Sequence, residues 1–105
     1  MTLPTELQEK IDTLVKSNDV VLFMKGSKNL PQCGFSARAA HILSVLEVDF
    51  VDVDVLQDQD IREGIKVYSD WPTIPQLYFQ GEFVGGSDIM MEMYERGELK
   101  KLFNK

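Results

Sequence analysis

Apolar residues recur along the chain at two spacings, which predict helices and strands in alternation. An interval of three or four residues indicates one face of a helix, whereas a short apolar run or strict alternation indicates a strand. Helical faces are predicted by Leu3, Leu7, Ile11, Leu14 and Val15, by Phe35, Ala39, Ile42, Leu43 and Leu46, by Ile61, Ile65 and Tyr68, and by Ile89, Met90, Met93 and Tyr94, with a last short turn through Leu99, Leu102 and Phe103. Strands are predicted at Val20–Met24, 50–55, Gln76–Phe79 and 82–84.

The resulting order of elements predicts the sheet. Two strands joined through a helix are most naturally parallel, and Gln80-Gly81 predicts a tight turn that pairs the last two strands antiparallel. We therefore expect an α/β fold with a four-stranded mixed sheet and helices on both faces, which is a thioredoxin-like arrangement. Because no linker or repeat interrupts residues 1–105, we expect a single domain.

Composition and charge exclude several classes of function. The chain is 44% hydrophobic and 27% charged, which is typical of globular proteins in water. Its net charge of -6 would repel a phosphate backbone and disfavours nucleic-acid binding. The longest apolar run, Val20–Met24, is too short to cross a membrane. The N-terminus lacks a basic start followed by an apolar stretch, so we expect a cytoplasmic protein, although a processed organellar form would have the same sequence.

The single cysteine, Cys33, is the strongest candidate for chemistry. It lies where a loop becomes a helix, and the amide hydrogens and dipole at a helix start stabilise a thiolate. Lys25 would add positive charge if the loop folds back. The alternative is a small buried apolar residue, but Pro31 before it, Gly34 after it and an apolar helix face that begins only at Phe35 favour a functional thiol. A lone cysteine cannot form an internal disulfide, which suits a reducing compartment.

Ser36 lies three residues after Cys33, where a dithiol oxidoreductase would carry its second cysteine. Self-contained dithiol chemistry is therefore excluded. Ser36 has either a chemical role or a hydrogen bond within the first helical turn.

Two further segments have the composition of a binding site. A cis peptide bond in Thr73-Ile74-Pro75 would expose the backbone of Ile74 for pairing with an extended peptide, and an ordinary trans turn is the alternative. In Gly85-Gly86-Ser87-Asp88 the glycines allow close approach, and the helix start can hold a carboxylate. The alternative is a plain helix cap in which Asp88 complements the dipole.

Two residues outside these segments have weaker claims. Arg62, with Lys66 one turn later, could form a cationic patch for a carboxylate, and a solvated surface pair is the alternative. Trp71 is expected in the core or at a packed loop edge.

Four motifs together resemble the monothiol glutaredoxins of the Cys-Gly-Phe-Ser type. They are Lys25-Gly26, Leu30-Pro31-Gln32-Cys33-Gly34-Phe35-Ser36, Trp71-Pro72-Thr73-Ile74-Pro75-Gln76-Leu77-Tyr78 and Gly85-Gly86-Ser87-Asp88. The resemblance covers nearly the whole chain, with the motifs in order and at the expected spacing. The chain departs from the pattern at Lys28-Asn29, where many relatives have a proline, and at Ser87, which replaces a cysteine found in some members.

The resemblance implies a thioredoxin fold, glutathione binding and a labile [2Fe-2S] cluster shared by two subunits. Cys33 would be both the nucleophile and the cluster ligand. The residues that would contact glutathione are Lys25 and Arg62 at its glycine carboxylate, Thr73 and Ile74 beside cis Pro75 as the backbone edge, and Ser87 and Asp88 at its γ-glutamyl end. A cluster with two irons usually needs four thiolate ligands, which two chains and two glutathiones would supply.

Three functions follow from this resemblance. We favour a glutathione-dependent cluster carrier for storage, transfer or assembly, which is a homodimer when loaded and passes its cluster to apo iron-sulfur acceptors. The alternative is a glutathione-dependent thiol-disulfide oxidoreductase that uses Cys33 alone. A third reading is a regulatory adaptor whose loaded dimer holds a BolA-like protein.

Overall fold

A computed structural model describes residues 3–105, and its helices and strands follow the predicted order. The elements are α1 (Thr5–Lys16), β1 (Val20–Met24), α2 (Gly34–Val45), β2 (Val51–Asp54), α3 (Gln59–Ser69), β3 (Gln76–Phe79), β4 (Glu82–Gly85), α4 (Ser87–Glu95) and α5 (Glu98–Leu102). The predicted last turn is the short helix α5, and β2 is shorter at both ends than its pattern of alternation predicts.

The strands form a four-stranded mixed sheet in the order β2-β1-β3-β4, which confirms the predicted fold class. Strands β1 and β2 are parallel, while β3 pairs antiparallel with both β1 and β4. The amide of Val55 donates a hydrogen bond of 2.9 Å to the carbonyl of Met24, so β1 and β2 end side by side. The loop that leads to Cys33 begins at this end of the sheet, directly after β1.

Each face of the sheet carries its own hydrophobic cluster, because successive strand residues point to opposite sides. Leu22 and Met24 of β1 pack with residues of α2, α4 and α5, while Val21 and Phe23 pack with residues of α1 and α3. Helices therefore cover both faces, as predicted. Within the described residues, no helix is long and apolar enough to cross a membrane.

Phe35 belongs to the predicted apolar face of α2 but is not buried with the rest of it. Its side chain is 57% exposed, whereas Ala39, Ile42 and Leu43 are buried. Helix α2 begins at Gly34, so Phe35 lies in its first turn and lines a surface cavity. Helical spacing alone does not distinguish a residue over the core from one on the same stripe at the end of the helix.

Candidate functional site

Cys33 is the N-cap residue of α2, with extended backbone angles of φ -152° and ψ 137°. Hydrogen bonding from the backbone amide of Ser36 is the main cause that lowers the pKa of Cys33, and the amide of Phe35, the charge of Lys25 and the hydroxyl of Ser36 act in the same direction. Partial burial opposes these effects. The thiol is therefore shifted towards the thiolate, which is the nucleophilic and metal-binding form.

Ser36 links the start of α2 to the end of β1. Its side chain is fully buried, and its Oγ accepts a hydrogen bond of 3.0 Å from the amide of Lys25. This hydrogen bond joins two residues that are eleven positions apart in the sequence. The same hydroxyl also interacts with Cys33 in the first turn of the helix. Ser36 thus holds Lys25 close to the thiol.

The loop of residues 25–32 is a small closed hairpin. The amide of Gln32 donates to the carbonyl of Lys25 at 2.9 Å, and an isolated β-bridge joins Gly26 to Pro31. Gly26 has a φ of +88°, and a Cβ atom there would lie 2.5 Å from the carbonyl oxygen of Leu30. Only glycine fits this position without a change of backbone, so the hairpin depends on it.

A cavity of about 180 Å³ lies between the segment 71–75 and the start of α4. Five of the predicted site residues line it together: Thr73, Ile74, Pro75, Ser87 and Asp88. Phe35 and Trp71 also line it, although the sequence predicted an apolar helix face for Phe35 and a core or loop-edge position for Trp71. The indole of Trp71 packs on the ring of Phe83, with 5.8 Å between their centroids.

The wall of the cavity at Ile74-Pro75 contains a cis peptide bond. The segment is fixed from behind by Gln76, which is fully buried and whose Nε2 donates to the carbonyls of Thr73 at 3.0 Å and Trp71 at 3.2 Å. This role of Gln76 was not predicted from the sequence. A long polar side chain at the first position of a buried strand is the signal that would have identified it.

Two polar atoms of the cavity residues are buried without a hydrogen-bond partner. They are Nε1 of Trp71 and Oγ of Ser87. Gly86 allows the two walls to approach closely, because a Cβ atom there would lie 3.2 Å from the carbonyl oxygen of Pro75 and 3.3 Å from Nε1 of Trp71. Buried polar atoms are normally paired, so these two atoms are candidate contacts for a polar ligand in the cavity.

The start of α4 differs from a plain capped helix. Its N-cap is Gly86, which has no side chain to cap the helix, and Asp88 is an exposed residue of the first turn. The carboxylate of Asp88 complements the helix dipole and is free to face a cationic group of a ligand.

Arg62 is a half-buried residue of α3, and within residues 3–105 its guanidinium forms no hydrogen bond or ion pair. Lys66, one turn later, pairs with Glu63 at 3.3 Å. The cationic patch of Arg62 with Lys66 stays a prediction.

The donor atoms of the chain limit what metal it could hold. Across residues 3–105, no group of three or more histidine, cysteine, aspartate and glutamate side chains could bind a metal ion. Cys33 is the only cysteine, and it is partly exposed. One chain therefore fits an iron-sulfur cluster only as the donor of a single thiolate, with the remaining ligands supplied from outside.

Comparisons with known proteins agree with this geometry. Residues 20–84 match the family model described as Glutaredoxin. A protein of Synechocystis sp. named as an uncharacterised monothiol glutaredoxin is 57% identical over 97 residues, covering 92% of this chain and 91% of that protein.

Solved structures extend the likeness to the whole fold. The solution structure of reduced poplar apo GrxS14 superposes with a TM-score of 0.84 at 48% identity, covering 99% of this chain and 95% of that one. The crystal structure of a buckwheat glutaredoxin-glutathione complex superposes with a TM-score of 0.81 at 25% identity, covering 92% of this chain and 86% of that one.

Proposed function

This chain belongs to the monothiol glutaredoxins of the glutaredoxin family, and from that premise we propose that it binds glutathione and carries a [2Fe-2S] cluster between two subunits. The observation that carries the proposal is the position of Cys33. It is a partly exposed N-cap residue, and the pKa of its thiol is lowered. Phe35, two residues later, lines a cavity that contains unpaired polar atoms. Its role would be the storage, transfer or assembly of clusters.

Glutathione is the proposed occupant of the cavity. Its peptide backbone would pair with Thr73 and Ile74 beside cis Pro75, and its γ-glutamyl end would meet Ser87 and Asp88. The unpaired Oγ of Ser87 and the exposed carboxylate of Asp88 at the start of α4 suit an end group that carries both an ammonium and a carboxylate. The buckwheat relative of the same fold is described in complex with glutathione.

The glycine carboxylate of glutathione would face the cationic side of the site. Lys25 is held near Cys33 by the hydrogen bond from its amide to Ser36, and its charge helps lower the pKa of the thiol. Arg62 is the second proposed partner. It would reach the ligand with a side chain that forms no ion pair in the described part of the chain.

The cluster is the cargo of the proposed carrier. A cluster with two irons usually needs four ligands of thiolate type, and Cys33 supplies one per chain. Two copies of the chain and two glutathiones complete the set. Because half of the ligands would be small molecules that exchange with solution, the loaded dimer would release its cluster to apo iron-sulfur acceptors.

Anaerobic reconstitution tests this function. Wild type is mixed with iron, sulfide and glutathione beside the Cys33→Ser variant, and iron, sulfide, visible absorbance and mass are measured. We expect a coloured wild-type product with the mass of two chains, two glutathiones and one [2Fe-2S] cluster, and a colourless, folded variant. A variant that retains comparable iron and sulfide would contradict the ligand assignment.

A glutathione-dependent oxidoreductase is the second candidate, favoured by the lowered pKa of Cys33. The thiolate would attack the glutathionyl sulfur of a mixed disulfide, which forms a Cys33–glutathione disulfide and releases the substrate thiolate. A second glutathione thiolate would then attack this disulfide, which releases the Cys33 thiolate and glutathione disulfide. Fast turnover of a small mixed disulfide by the cluster-free protein would make this reading the primary one.

A partner protein and a compartment complete the proposal. Leu30 is 67% exposed and Phe35 57% exposed on either side of Cys33, and exposed apolar side chains are typical of protein interaction surfaces. We propose that this surface meets acceptor proteins or a BolA-like protein. We also propose a reducing compartment, the cytoplasm, because a lone partly exposed thiol is typical of such compartments.

A further inference from the structure

Two carboxylates of β2 contact the loop of residues 25–32 from outside. Asp52 and Asp54 alternate along the strand, so both project from the same face of the sheet. Oδ2 of Asp52 accepts a hydrogen bond of 2.8 Å from the amide of Lys28, and Oδ1 of Asp54 accepts one of 2.9 Å from the amide of Gly26. These two hydrogen bonds join the loop of residues 25–32 to β2, although the two segments are distant in sequence.

Each of these anchors is reinforced by a further contact. Oδ1 of Asp54 also accepts a hydrogen bond of 2.9 Å from the amide of Leu56, which fixes the carboxylate at the end of its own strand. Nζ of Lys28 donates to the carbonyl of Phe50 at 2.6 Å and lies 4.6 Å from the centre of its ring. Lys28 therefore also contacts the residue just before β2, at the position where many relatives have a proline.

The contact with Gly26 is the one closest to the thiol. Gly26 follows Lys25, whose amide is bound by Ser36 and whose carbonyl is bound by the amide of Gln32, the residue before Cys33. Asp54 is thus connected to Cys33 through a short series of backbone hydrogen bonds. Loss of its carboxylate would release the Gly26 end of the hairpin from the edge strand, while Asp52 still holds Lys28 and helix α2 stays in place.

We propose that Asp54, supported by Asp52 and Lys28, is a positioning residue that holds the 25–32 loop so that Lys25 stays beside Cys33. This inference rests on the proposed function, because the position of Lys25 matters for the glutathione site. Asp54 itself contacts neither the thiol nor the proposed ligand. Its effect on chemistry would pass through the loop.

The test compares Asp54→Ala with Asp54→Asn. Both variants remove the negative charge, so its effect on the thiol cancels in the comparison, but asparagine keeps an oxygen that accepts the two amide hydrogen bonds. Two quantities are measured on each protein: the pH profile of Cys33 alkylation by iodoacetamide, and the affinity for glutathione by calorimetry.

We expect the midpoint of the alkylation profile to lie about half a pH unit higher in Asp54→Ala than in Asp54→Asn, the size expected when one exposed charge pair is weakened. Glutathione affinity should be about threefold lower in the alanine variant for the same reason. Asp12→Ala is the matched control. It removes a carboxylate that accepts a hydrogen bond from Tyr68 between α1 and α3, so it should lower stability without moving either quantity.

Coincidence of the Asp54→Ala and Asp54→Asn profiles in folded proteins would overturn the proposal. If Asp54→Ala does not fold, Asp52→Ala against Asp52→Asn gives the same comparison, because Asp52 binds only the amide of Lys28 among the described hydrogen bonds. The alkylation profile needs no glutathione. A wild type that fails to bind glutathione would therefore contradict the proposed function while the alkylation comparison still decides the role of Asp54.

Discussion

The two halves of the candidate site are built in opposite ways. The thiol half, residues 25–36, is closed by internal hydrogen bonds, and none of its buried side-chain polar atoms lacks a partner. The cavity half consists of residues 71–75 and 86–89, and it contains two buried atoms without partners, Nε1 of Trp71 and Oγ of Ser87. The buried polar side chains of the thiol half are thus paired within the protein, whereas the cavity half has buried polar atoms left for the proposed ligand.

This difference separates stability from binding. Removing a polar group that is already paired leaves its partner unsatisfied and destabilises the fold, whereas removing an unpaired one costs the fold little. Loss of a paired polar group in the thiol half should therefore lower the free energy of unfolding. Loss of an unpaired polar group in the cavity half should lower ligand affinity instead.

The largest effect on stability is expected from Gly26→Ala. A Cβ atom at this φ of +88° would meet two backbone atoms, the oxygen of Leu30 at 2.5 Å and the nitrogen of Gln32 at 2.6 Å. We expect the free energy of unfolding in urea to fall by about 2–4 kcal/mol, because the hairpin must open. Gly34→Ala is the control, since nothing lies within 4 Å of its Cβ position. Equal losses in the two variants would contradict the closed hairpin.

The two buried serines give a matched test of the comparison itself. Ser36→Ala leaves the amide of Lys25 unpaired, so we expect a loss of about 1–2 kcal/mol in the free energy of unfolding. Ser87→Ala removes a hydroxyl without a partner, so its stability should stay within about 0.5 kcal/mol of wild type. Its glutathione affinity should fall by about three- to tenfold, the worth of one hydrogen bond. A Ser87→Ala protein that loses stability but keeps its glutathione affinity, beside a Ser36→Ala protein as stable as wild type, would contradict this division between the halves.

The fold could be predicted largely from the order of its patterns. Val20–Met24 is a continuous apolar run and lies fully buried in the sheet, as such runs do. The turn at Gln80-Gly81 joins β3 to β4, and the strand order follows from the connections. The ends of β2 and the separate helix α5 were less well predicted, because local patterns define element ends poorly.

The candidate site was predicted less completely, because its contacts join residues distant in sequence. The motifs identified the residues of the cavity, but the partner of Ser36 lies eleven residues away and no local pattern indicates it. Phe35 was assigned to an apolar face of α2 by its spacing and lies in the cavity wall. The alternation that predicted β2 did not indicate that Asp52 and Asp54 hold the loop.

The smallest expected effect is the pH dependence that Cys33 contributes to stability. Because folding lowers the pKa of its thiol, the contribution is present above the pKa of the unfolded thiol and is lost as the pH falls through that of the folded one. Between these two values, the free energy of unfolding of reduced wild type should rise with pH relative to Cys33→Ser. Urea titrations across this interval measure it, and a flat or falling difference would contradict the lowered pKa.

The central claim is that glutathione completes the cavity half and meets the thiol half only at the side chain of Lys25. Titration of the ¹⁵N-labelled Cys33→Ser protein with glutathione, followed by NMR, tests it directly, because Trp71 is the only tryptophan and gives a single indole N–H signal. We predict that the indole signal of Trp71 shifts to saturation, and that the amide signal of Gly26 shifts less. An indole signal that stays fixed, or a Gly26 amide that shifts the more of the two, would contradict the account.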